Sequence, residues 1–148
     1  MSTEHWPQLS LPDVSDRAQR EWRWDIDRPA QLTAARTALR DDVSGGAMPA
    51  GAQPDDVDRL LLAFEELASN GLRHSGHPIV VTVTGCSSGW LIDVSDARPD
   101  QPPVPAVDRD PSLGGLGLYL IARLAAAHGW VVAGVRKHVW ACIVPVTV

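Results

Sequence analysis

Two cysteines, Cys86 and Cys142, are too few and too far apart to build a disulfide framework. No Cys/His pair has the spacing of a zinc site. Positive charge is in short supply too: 13 Lys and Arg stand against 18 Asp and Glu, a formal net charge of −5. A non-specific nucleic-acid binder or a binder of anionic membranes needs a cationic face, so this balance weighs against both. No apolar run approaches the roughly 20 residues of a membrane span. Met1 to Arg20 also lacks the apolar stretch of a secretory signal. The expectation is a soluble, cytoplasmic, reduced protein with no direct nucleic-acid or membrane contact. The length of 148 residues suits one domain with a real core.

Residues 1–20 carry Pro7 and Pro12 without periodicity and read as a tail, a candidate for disorder, ahead of a domain over residues 21–148. Glu21 to Asp27 alternates, with Trp22, Trp24 and Ile26 on one side, as a half-buried strand does. Helical spacing from Pro29 (Leu32, Ala35, Leu39, Val43) predicts a first helix. Pro54 opens a second, with Asp55, Asp56 and Asp58 in a first turn whose macrodipole favours negative charge. Its apolar stripe is Val57, Leu60, Leu61, Phe64, Ala68 and Leu72, and Gly76 and Pro78 end it. Two strands, Ile79 to Thr84 and Trp90 to Ser95, flank a Gly85–Gly89 turn. A proline-rich loop spans Ala97 to Leu113, and a loop of that length in a small domain is usually functional. A third helix over Leu116 to Ala127, stopped by Gly129, precedes strands Val131 to Val135 and Val139 to Val146 around a turn near Arg136-Lys137. This order predicts an α+β fold: a two-layer sandwich, its sheet mostly antiparallel, its helices on one face.

Three patches carry candidate chemistry. Glu66 and Asn70, four apart, share the helix face roughly opposite the apolar stripe, with Arg73 beside them and His74 one step further round. A solvated face is the ordinary reading. The sharper one is a metal-binding amide oxygen beside a proton-accepting carboxylate. Asp96 ends a strand, where it is either a turn residue or an acceptor for an exocyclic amine. Gly114-Gly115-Leu116-Gly117-Leu118 is either a plain helix entry or a glycine turn whose N–H groups and helix N-terminus meet an anion.

Taken in order, these patches resemble the motifs of the Bergerat-fold (GHKL) ATPases. The likeness is to their small anti-sigma-factor serine/threonine kinases, particularly those of actinobacterial type. Glu66-Leu67-Ala68-Ser69-Asn70 with Gly71-Leu72-Arg73-His74 is similar to the N box, and Asp93-Val94-Ser95-Asp96 to the strand entering the G1 box. Gly115-Leu116-Gly117-Leu118-Tyr119-Leu120-Ile121 is similar to the G2 box, and the likeness spans residues 20 to 147. The resemblance implies ATP and Mg²⁺ as cofactors. Asn70 would hold the metal, Glu66 would act as general base, and Asp96 would read adenine N6. Arg73, His74, Gly114, Gly115, Leu116, Gly117 and Leu118 would lie around the phosphates. It further implies a sigma factor and an anti-anti-sigma-type antagonist protein as partners, with a homodimer as one oligomeric option.

The sequence also departs from the pattern. Ala97-Arg98-Pro99-Asp100 stand where glycines usually follow the G1 aspartate. Arg136-Lys137-His138-Val139-Trp140 occupy the last hairpin, where the family often has a threonine, so no ligand is assigned there. Glu65 adds a second carboxylate beside Glu66, pointing about 100° away around the helix and read as structural. The leading expectation is a kinase that phosphorylates a serine on the antagonist. The alternative is a non-catalytic ATP-binding module that switches partners. A sensor-kinase catalytic fragment and a metal enzyme built on His74 and His77 fit less well: the first lacks a phosphoacceptor hairpin, and Gly76 and Pro78 interrupt the helix needed by the second.

Overall fold

The computed structural model describes residues 6–46, 49, 51–75, 78–103 and 116–146. Strand β1 (Ala18–Ile26) leads into helices α1 (Pro29–Ser44) and α2 (Pro54–Ser75), then strands β2 (Ile79–Cys86) and β3 (Gly89–Asp96). Helix α3 (Leu116–Leu124) and the hairpin β4 (Ala127–Ala133) and β5 (Arg136–Ile143) complete the chain. The sheet runs β1-β2-β3-β5-β4, every neighbouring pair antiparallel. This is the α+β, two-layer architecture that the pattern predicts.

Local chemistry starts each helix. The Gln31 side chain accepts the Asp27 and Arg28 N–H groups at 2.7 and 3.0 Å, capping α1 where Pro29 fixes the first turn. Asp56 does more for α2. Only 2% exposed, it accepts the Gln53 N–H at 2.8 Å, pairs with Arg59, and accepts the Val146 N–H at 3.0 Å. One carboxylate thus joins a helix start to the C-terminal segment. On the sheet, alternate residues face the helices: Ile79, Val81 and Val83 of β2, Trp90, Ile92 and Val94 of β3, and Val139, Ala141 and Ile143 of β5, all in one core with Leu60, Phe64, Leu67, Leu118 and Ile121. Leu67 and Ala63 are buried as well as the predicted stripe, because α2 packs against α1, α3 and the sheet together.

Three expectations are revised. The segment ahead of residue 21 is anchored to the domain by the buried Trp6, with most of residues 8–20 exposed, and β1 begins at Ala18. Trp6 is 2% exposed, donates Nε1–H to the Leu118 carbonyl at 3.3 Å and meets the His128 ring edge-on. Trp130 N–H donates to Pro7 O and Leu9 N–H to Trp130 O, each at 3.0 Å, so this segment covers the β4 edge. It then crosses the sheet face away from the helices. There Leu9 O accepts Trp140 Nε1–H at 3.1 Å, and Pro12, Val14 and Arg17 line a cavity with Cys86, Leu91 and Cys142.

The last hairpin is shifted as well. Helix α3 stops at Leu124, Gly129 lies inside β4 opposite Trp140, and the turn falls at Gly134-Val135. Gly134 has φ +65°, a left-handed conformation that suits glycine and fixes the turn there. Arg136 and Lys137 consequently belong to β5, and both are held by partners on β3.

Asp56→Ala should lower stability by about 1–3 kcal/mol, because it strands buried donors. The Gln53 N–H bond above all holds the Asp56 pKa below the ordinary aspartate value. Its contribution is therefore complete at neutral pH and fades as pH falls below about 4. Urea midpoints of wild type and variant, well separated at pH 7, should converge in acid.

Candidate functional site

The site is built on the second half of α2. Phe64, Leu67 and Ala68 are buried beneath the helix, leaving Glu66 and Asn70 half-buried and Arg73 and His74 exposed on the other side. Gly71 sets how close this helix lies to the sheet: a Cβ there would fall 3.1 Å from Val94 Cγ1 and 3.3 Å from Ile79 Cγ2. The end of α2 is thereby brought beside the end of β3. Asp96 follows Val94 in the same alternation and so shares the helix-facing side of the sheet with Glu66 and Asn70.

Helix α3 supplies the other wall. A Cβ on Gly117 would lie 1.8 Å from Glu66 Oε1, 2.5 Å from Cδ and 2.8 Å from Cγ. The Glu66 carboxylate therefore rests against backbone in the first turn of α3, a contact that only a glycine permits. Leu118 is 1% exposed and anchors that turn in the core. Gly114 and Gly115 lie outside the described residues, as does the stretch 104–113 of the proline-rich loop; Leu116 is described as the first residue of α3 only.

Electrostatics separate the carboxylates. Burial raises the Glu66 pKa, the neighbouring Glu65 raises it further, and Arg73 partly opposes both. Glu65 itself accepts the Ser69 hydroxyl at 3.0 Å and sits 4.0 Å from Arg36, on the side facing α1. Asp96 is 3% exposed: Oδ1 accepts the Arg98 N–H at 2.8 Å, and Oδ2 lies 3.4 Å from Lys137 Nζ. Lys137, 5% exposed, also donates to the Gln101 carbonyl. This lysine escapes a reading that puts the turn at residues 136 and 137. Its only trace is the strand register, which sets it directly opposite Asp96.

Among the described residues no group of three His, Cys, Asp or Glu side chains could hold a metal ion. A magnesium ion carried in on phosphates needs less. It usually keeps its waters and takes one or two protein oxygens. Asn70, half-buried on α2 one turn beyond Glu66, carries an amide oxygen of the kind such an ion takes. His77 lies outside the described residues.

A family model of the histidine kinase-like ATPase domain matches residues 27–143. The chain belongs to this family. As a histidine kinase-like ATPase domain it has the nucleotide-binding, kinase-type fold, and the match runs from the end of β1 to the end of β5. A chain in the crystal structure of the SiaB–SiaC complex from Pseudomonas aeruginosa superposes with TM-score 0.56 at 15% identity, covering 88% of this chain and 92% of that one. The histidine kinase AdeS of Acinetobacter baumannii gives TM-score 0.43 at 16% identity, over 86% of this chain and 70% of that one. A comparison with curated protein sequences finds no significant match. No helix among the described residues is long and apolar enough to cross a membrane.

Gly117→Ala should displace the Glu66 side chain and leave the core in place, since the three nearest atoms all belong to one flexible side chain. The expected stability change is within about 1 kcal/mol. Once turned outward, Glu66 loses its desolvation, so its pKa should drop back toward the ordinary glutamate range. A carboxyl-selective NMR titration of both proteins measures the shift.

Proposed function

We propose that this protein is a cytoplasmic ATP-binding regulator of the anti-sigma-factor kinase type, which phosphorylates a serine or threonine on an antagonist protein. Its partners are then a sigma factor and an anti-anti-sigma-type antagonist. The observation that carries the reading is the contact between Glu66 and Gly117, which sets a desolvated carboxylate against the first turn of α3, with Asn70 one turn further along α2. Phosphoryl transfer demands positioning and charge neutralisation more than covalent chemistry. The start of α3 on one wall, with an amide and an arginine of α2 on the other, offers both.

In this reading Asn70 orients the metal-bound phosphates. Arg73, His74 and the backbone from Gly114 to Leu118 surround them, and Asp96 faces the base. Bound Mg²⁺ would neutralise phosphate charge. Glu66 takes the proton of the attacking hydroxyl, and its raised pKa suits it to that work. The complex in which the SiaB–SiaC chain was solved supports a protein antagonist as partner here. Partner exchange then follows as a linked equilibrium, with nucleotide state and competing proteins deciding which complex is populated.

One observation favours a second reading, a module that binds ATP without transferring phosphate. Asp96 is already paired with Lys137, and Ala97, Arg98 and Pro99 follow it in place of glycines. Incubation with Mg·ATP and candidate antagonists separates the two readings. Phosphoserine or phosphothreonine that vanishes in Glu66→Ala supports the kinase, and nucleotide binding without product supports the module.

Asn70→Ala should abolish Mg²⁺-dependent ATP binding in a titration, and unchanged affinity would remove Asn70 from the site. For the kinase, activity requires the ionised Glu66, so the rate should climb as pH passes a pKa above the ordinary glutamate value of about 4.3. Glu65→Gln removes one of the causes of that elevation and should move the acid limb of the pH–rate profile to lower pH.

A further inference from the structure

Asp96 and Lys137 stand directly opposite each other in the β3–β5 ladder, their side chains 4% and 6% exposed. Both carboxylate oxygens are engaged: the Arg98 N–H is 2.8 Å from one and the ammonium 3.4 Å from the other. The ammonium also donates to the Gln101 carbonyl, tying the turn that follows β3 to the start of β5. A group so enclosed has few places to go.

An ionised aspartate only accepts hydrogen bonds, so a base amine binds by donating to one of these two oxygens. Each oxygen keeps a second lone pair, but the side chain is only 4% exposed, so the amine gains room where the ammonium withdraws. The amine is neutral, whereas the donor it displaces is a cation, and charge-assisted bonds are the stronger kind. Displacing Lys137 also strands an ammonium in a buried place with, among the described residues, the Gln101 carbonyl as its remaining partner, which is the costly way to break an ion pair. The exchange therefore runs uphill at this position unless the lysine is given another acceptor.

We propose that Lys137 is an intramolecular competitor for the nucleobase. It holds Asp96 in the resting protein, so a purine nucleotide gains nothing from its exocyclic amine until Lys137 and the turn at Gln101 give way together. Lys137 thereby sets both the affinity and the base selectivity of the site. This rests on the nucleotide-site reading above.

The test uses the full chain and two probes, Mg·ATP and the Mg²⁺ complex of purine riboside triphosphate, which has the same ring without the 6-amine. Wild type should bind both within about twofold of each other. Lys137→Thr should bind ATP about tenfold tighter than wild type, the worth of one recovered hydrogen bond, and should prefer ATP over the amine-free probe by a similar factor. Lys137→Arg keeps the cation and should behave as wild type. If Lys137→Thr fails to fold, the wild-type comparison still decides: near-equal affinities support the competitor, and a tenfold preference for ATP overturns it. Equal ATP affinity in wild type and folded Lys137→Thr overturns the proposal and leaves the nucleotide site intact. Binding of neither probe by any of the three proteins overturns both.

Discussion

The place of the Glu66 carboxylate against α3 depends on one missing methyl group. Gly117 allows the first turn of α3 to lie against the Glu66 side chain, and any larger residue would meet the carboxylate well inside van der Waals distance. Close packing would ordinarily place an apolar group in such a contact. Here a carboxylate fills it, and desolvation by that packing lifts its pKa. The same contact brings a helix start to the side chain that the proposed chemistry requires. Trp6 secures it from outside by donating to the Leu118 carbonyl, one residue beyond the glycine. The N-terminal segment thus supports the site without being part of it.

Helix α2 can carry an unsupported polar face because its other sides are buried. Leu60, Phe64, Leu67 and Ala68 hold it to the sheet and to the neighbouring helices. Gly71 lowers its end onto Val94 and Ile79. Burial of this kind is worth roughly 1.5–3 kcal/mol for each large side chain, which is ample to keep an amide and a carboxylate facing outward in fixed positions. Asp56 adds a local tether at the start of the helix, far from the site in sequence though on the same rigid body.

Much of this was legible in the sequence because it rests on period and punctuation. The stripe along α2, the alternation in β2 and β3 and the acidic first turn all report one-dimensional spacing. Glu66 and Asn70 share a face for the same reason. Two kinds of feature were hidden. Trp6 lies in a segment with no periodicity, and its burial depends on α3 and β4, more than 100 residues away in sequence. Lys137 belongs to a charged pair that suggests a turn, while the bend is placed by the left-handed Gly134. A charged dipeptide reads as loop until its partners are known. Here they are Ser95 and Asp96, on the adjacent strand. Gly129 shows the converse error: a glycine after a helical run reads as a helix stop, yet it is a strand residue beneath Leu9.

The two carboxylates of the proposed site show how environment can divide roles between similar side chains. Glu66 is half-buried, its pKa raised by desolvation and by Glu65, with no hydrogen-bond donor on it among the described residues. Such a group readily takes a proton. Asp96 is more deeply buried and holds an N–H on one oxygen and an ammonium on the other. That group serves as a fixed negative anchor. Were the two exchanged, neither could serve: a lysine beside Glu66 would hold it as the anion and weaken it as a base, and an undefended Asp96 would lose its hold on the turn at Gln101. The separation follows from the architecture. One carboxylate sits on a helix, whose open face borders a glycine, and the other ends a central strand, whose neighbour in the ladder can deliver a cation in register.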